Sequence, residues 1–167
     1  MNWDAISAVA ESVGAFGVIA TLGYLAVQIR QNTAAVRAST YDSFVAQFRD
    51  WNAPLRANPE LSAQFAIQIE EIETLDDQAR KHATHVFFDF LKLAENLHYQ
   101  YRMGMIDDAM WSGWDTFFQH YLNAPGMVWY WERRKDFCDP AFRAYVDRLH
   151  ANRPDAPLRS TQVAQAQ

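Results

Sequence analysis

Hydrophobic and polar positions divide the chain into two regimes. From Ser12 to Ile29 the sequence reads SVGAFGVIATLGYLAVQI, with no charged residue, and Arg30 follows at once. At about 1.5 Å rise per residue this run makes a helix roughly 27 Å long, close to the hydrocarbon thickness of a bilayer. We therefore expect residues 1–29 to be an N-terminal segment and membrane anchor. Glu11 has to stay at headgroup level, which leaves Val13 to Ile29 as the usable span. A buried central helix of a soluble bundle has the same all-round apolar pattern and is the competing reading.

Beyond Arg30 the pattern becomes amphipathic. No proline or glycine occurs before Pro54, and Tyr41, Phe44, Val45, Phe48, Trp51 and Leu55 recur at helical spacing. The anchor helix is thus expected to continue as a long rod that Pro54 closes. Asn58-Pro59-Glu60 predicts a capped helix to about Glu71. Thr74 reads as the cap of a helix over Leu75–Met103, whose inner face is Ala79, Ala83, Val86, Phe90, Leu93 or Ala94, Leu97 and Tyr101, with Gly104 as its stop. Asp107 starts a helix to Leu122 with a stripe of Met110, Trp114, Phe117, Phe118 and Tyr121. A short helix over Met127–Phe137 and a last one capped by Asp139-Pro140, with Phe142, Tyr145, Val146 and Leu149 inward, complete a helical domain over residues 30–151. Residues 152–167, with two prolines and little to bury, read as a disordered tail.

Within the anchor, Ala10, Gly14, Gly17 and Thr21 recur at intervals of four, three and four, so they share one helix face that Gln28 extends. Small residues let helix backbones approach closely in lipid. This face is expected to join copies of the chain into a homo-oligomer.

Composition narrows the partners. Six Trp, seven Tyr and eleven Phe predict a core of large rings or broad contact surfaces, and a net charge of −5 argues against nucleic acid as a partner. The single cysteine, Cys138, excludes an intramolecular disulfide framework and a multi-cysteine zinc motif. Residues 1–11 hold Asp4 and Glu11 but no Lys or Arg, so a cleaved signal peptide is not expected. The first basic residues, Arg30 and Arg37, follow the apolar run. That bias orients a single-pass protein in the inner membrane with its C-terminal domain in the cytoplasm.

The stretch Tyr24-Leu25-Ala26-Val27-Gln28-Ile29-Arg30-Gln31-Asn32-Thr33, with Arg37-Ala38-Ser39, resembles the start of a widespread group of uncharacterised bacterial proteins. Ala94-Glu95-Asn96, Tyr99-Gln100-Tyr101 and Pro125-Gly126 through Trp131 are similar to later parts of that group. The resemblance covers most of the chain. It implies a short N-terminal hydrophobic helix and an aromatic-rich helical remainder, and no activity.

Three clusters are candidates for chemistry. Glu95 and His98 form one Glu-x-x-His pair, where di-iron bundles use two such pairs with two further glutamates. Asp147 and His150 are an imperfect second. His82, His85 and Asp89 lie on one helix face and could share a metal, but Lys92 and Asn96 extend the same stripe, so a solvated polar face is the preferred reading. No metal and no cofactor are expected, and no catalytic residue is assigned. Cys138, between Asp136 and Asp139, is expected to have a raised pKa and to be a poor nucleophile. Finally, Trp129, Trp131, Arg133, Arg134 and Lys135 combine aromatics with cations as a membrane-surface contact would.

Together these features predict an all-α protein, an N-terminal single transmembrane helix continuing into a cytoplasmic helical bundle. Its expected role is a membrane-anchored interaction or scaffold protein with the lipid bilayer, its own copies and an unknown protein as partners. The alternative is a helical enzyme or sensor with a metal or small ligand in its aromatic core.

Overall fold

The computed structural model describes residues 3–153, with side chains at Gly14 and from Phe16 onward. Six α-helices and two short 3-10 turns account for the described residues, which contain no strand. The chain divides into two compact units, one up to Thr40 and one from Tyr41.

Helix α1 covers Trp3–Ala57 and supplies all the described residues of the first unit. Every described side chain up to Ser39 is exposed. Among the described residues no helix is long and apolar enough to cross a membrane. Of the run expected to span, the side chains of Ser12, Val13 and Ala15 lie outside the described ones, as do those of Ala10 and Glu11. Residues 154–167 of the expected tail also lie outside the described range.

The second unit is built from the last turns of α1 and five further helices. These are α2 (Pro59–Glu70), α3 (Asp77–Arg102), α4 (Asp108–Leu122), α5 (Pro125–Arg134) and α6 (Pro140–Ala151). Pro54 does not close α1, which continues to Ala57. A proline in the last turn removes one donor only, and its carbonyl still accepts the Asn58 N–H at 3.1 Å. Asn58 caps α2 as its sequence foretold, its Oδ1 accepting the backbone N–H of Glu60 and Leu61.

Thr74 is not the cap of α3. It ends a 3-10 turn over Ile72–Thr74 and donates its hydroxyl to the Glu71 carbonyl. Asp76 caps instead, accepting from Ala79 N at 2.8 Å, because a carboxylate meets the helix dipole better than a hydroxyl does. At its other end, Gly104 takes φ +70°, the left-handed conformation that suits glycine after a helix. Met105 N then bonds back to Gln100 O.

The core is aromatic. Phe44, Phe87, Phe90, Phe118 and Phe142 are among its fully buried side chains. The inner face of α3 is rotated from the predicted one: Phe87, Leu91 and His98 join Ala83, Phe90, Ala94 and Leu97 inside. The stripe of α4 turns likewise, with Trp111, Phe118 and Leu122 buried while Met110 is exposed. Helix α5 starts at Pro125, and its expected last turn is a separate 3-10 turn over Lys135–Phe137. At Gly126 a Cβ would collide with backbone atoms of Gln68 and Ile69, so glycine sets how closely α5 crosses α2.

Candidate functional site

The last three turns of α1 carry Phe48, Trp51 and Leu55 toward α2, and the interior between them is not filled. Trp51 meets Phe65 of α2 edge-on, centroids 5.7 Å apart, and Phe90 of α3 at 5.3 Å. Phe48 meets Phe117 of α4 edge-on at 5.5 Å, and Phe117 packs on Tyr121 at 4.7 Å. These six rings surround a half-open cleft of about 310 Å³. At its rim stand Asn52, Arg56 and Ser62.

A second cleft of about 230 Å³ lies beyond Trp51 and Phe65, which also line it. Its polar wall is Gln64, Gln68, His82 and Asp89. The Gln68 carboxamide is buried and its Nε2 lies 3.3 Å from His82 Nδ1, so Nδ1 is the acceptor and the proton sits on Nε2. His82 and Asp89 thus flank one opening, whereas His85 is exposed elsewhere on α3.

Glu95 and His98 do not share a site. Glu95 spans the start of α6: it receives Lys92 Nζ at 2.6 Å and the backbone N–H of Asp139. His98 points the other way, into the core, where it stacks on Tyr145 at 4.8 Å and borders Trp111 and Phe142. Its Nδ1 is buried without a hydrogen-bond partner. Burial, and then the nearby Arg102, hold its pKa below the usual histidine value. Asp147 and His150 also separate. Asp147 accepts from Trp131 Nε1 at 2.8 Å, and His150 Nε2 donates to the Leu122 carbonyl at 2.9 Å. Among the described residues no group of three His, Cys, Asp or Glu could hold a metal ion.

Cys138 is buried and its thiol is pushed up to about 11, first by burial and then by the Glu95 carboxylate. Of the flanking aspartates singled out in the sequence, Asp139 adds a smaller push in the same direction. Tyr145 donates to Asp115 at 2.6 Å, and its phenol is raised by burial and by that bond.

The aromatic and cationic segment is not a single surface. Trp131, read as a membrane contact, is 3% exposed and belongs to the core, its indole N–H satisfied by the exposed Asp147 at the core's edge. Trp129 is half-buried under the Arg133 guanidinium, 4.3 Å from the ring centroid. Lys135 pairs with Asp147 at 3.6 Å, and Arg134 lies over Phe137.

Of the proposed oligomer face, Gly14, Gly17, Thr21 and Gln28 are exposed. Thr21 donates its hydroxyl to the Gly17 carbonyl at 2.8 Å, so beside the glycines it presents its methyl group rather than a free donor. The cleft itself had no motif in the sequence. Phe48, Trp51 and Leu55 of α1 and Phe117 and Tyr121 of α4, which line the larger cleft, were read from the sequence only as packing stripes. No family model matches the chain, and no curated protein or solved structure matches it.

Proposed function

We propose that the chain is a membrane-anchored helical protein that acts through self-association and contacts with a protein partner. One observation carries the reading. Phe16, Val18, Ile19, Leu22, Leu25, Val27 and Ile29 are all strongly exposed, with Phe16 at 75% and Ile29 at 65%. They spread over rather more than half of the circumference of α1, with Gly14, Gly17 and Thr21 on the remaining face, and each forgoes about 1.5–3 kcal/mol of burial while it faces water. A bilayer covers such a helix on all sides at once. The uncharged length of Ser12–Ile29 and the arginines that follow it support the same environment, with the unit from Tyr41 on the cytoplasmic side. Within lipid, the exposed face of Gly14, Gly17 and Thr21 is the surface through which copies meet.

Alkaline carbonate washing of membranes containing the full chain tests the anchor. The protein is expected to stay in the pellet; release of intact protein into the wash overturns the reading. A second reading, a small ligand in the aromatic core, is favoured by the cleft around Trp51.

A further inference from the structure

We infer that the cleft bounded by Trp51, Phe65 and Phe117 is a binding site for a small aromatic carboxylate. The inference rests on the ligand-binding reading and is independent of the anchor.

Size sets the first limit. A cavity of about 150 Å³ accommodates one benzene ring, so about 310 Å³ takes a body of two fused rings. Its walls are rings rather than aliphatic chains, with Leu55 as the one exception. Aromatic walls offer edge and face partners to a flat guest, which gains about 0.5–1.5 kcal/mol per ring pair beyond area burial.

Charge sets the second limit. The chain holds 20 Asp and Glu against 15 Lys and Arg, yet no acid lines this cleft and its one charged residue is Arg56. Arg56 makes no ion pair among the described residues. Its guanidinium reaches back two turns along α1, where Nη2 lies 3.5 Å from the Arg49 carbonyl, and this keeps the cation by the rim. The side chains of Asn52, Ser62 and Tyr121 also line the cleft, and none holds a hydrogen bond among the described residues. A planar guanidinium and three unused polar groups above an aromatic pocket suit a carboxylate attached to a flat apolar body. The neighbouring cleft contrasts with it, since Asp89 there disfavours an anion.

The test uses the full chain in nanodiscs of zwitterionic lipid, with empty nanodiscs subtracted, and isothermal titration. The probes are 2-naphthoate, its neutral analogue 2-naphthamide, and decanoate. Saturable one-to-one binding of 2-naphthoate is expected, about tenfold tighter than the amide. Arg56→Gln, at an exposed position, should bring the carboxylate down to the affinity of the amide and leave the amide unchanged. Arg133→Gln should change neither. No saturable binding above empty nanodiscs overturns the site, and equal binding of acid and amide, or an unaffected Arg56→Gln variant, overturns the role of Arg56. Tighter binding of decanoate than of 2-naphthoate overturns the aromatic choice. None of these outcomes moves the carbonate result, so the two readings fail separately.

Discussion

Gly126 and His98 show how single positions constrain this interior. At Gly126 the space a Cβ needs is already filled by the Gln68 and Ile69 backbone, with the Ile69 carbonyl and Cα about 3.0 and 3.1 Å away. Backbone cannot rotate aside as a side chain can, so Gly126→Ala should destabilise the fold by about 1–3 kcal/mol, the range for overpacking. A shift of the urea midpoint to lower concentration checks this, and an unchanged midpoint would show that α5 slides freely on α2. His98 makes stability depend on pH. Its folded pKa lies below the ordinary 6.5, through burial first and Arg102 second, with Arg148 adding to them and Asp139 and Asp115 opposing. Well above pH 6.5 the ring is neutral in both states and adds no pH dependence. As pH falls from 6.5 toward the lower folded value, the unfolded chain takes up a proton that the folded one resists, so stability declines. His150, also lowered by burial, adds to the same slope. Urea unfolding at pH 7.5 and 5.5 should show the decline. His98→Phe, which keeps a ring against Tyr145 and removes the unpartnered Nδ1, should lessen it.

Helices were largely legible because their ends carry local chemistry. Asn58, Asp107 and Asp139 each accept a backbone N–H at the start expected of them, and Gly104 takes the positive φ expected of it. At the start of α3 Thr74 was read as the cap, and Asp76, two residues further on, takes that place. Faces were harder to read. In a chain with so many rings, several registers of α3 and α4 bury comparable apolar area, and only packing between helices puts Phe87, Trp111 and His98 inside. The cleft was less legible still, because it is defined by where Trp51, Phe65 and Phe117 stop short of filling space. Helix α1 supports a cleaner test, since a Cβ at Gly14 or Gly17 meets nothing within 4 Å. Gly14→Leu with Gly17→Leu therefore leaves the chain's own packing untouched. If copies associate through this face, the double variant should lose cross-linked oligomers in membranes, whereas oligomers of undiminished yield would place the contact elsewhere.

At the scale of the molecule, the buried core is confined to one of the two units. Phe44 is the first residue of that core in chain order, and all its other members come from Ile69 onward. Among the described residues, a cut before Tyr41 consequently removes no core side chain, and about 110 residues remain to residue 153, enough for an independent hydrophobic core. The half-buried partners Tyr41, Val45, Phe48 and Trp51 stay with it, including the Tyr41 hydroxyl that receives Trp114 Nε1 at 3.3 Å. What the cut removes includes the apolar run Ser12–Ile29, whose described side chains are exposed. The fragment 41–153 should therefore unfold cooperatively on heating and stay dispersed without detergent, while the full chain should sediment once detergent is withdrawn. Calorimetry and analytical ultracentrifugation read the two properties separately. A broad, non-cooperative melt of the fragment would mean that residues before Tyr41 contribute to the fold. A full chain that stays dispersed would mean that its apolar run finds cover without lipid.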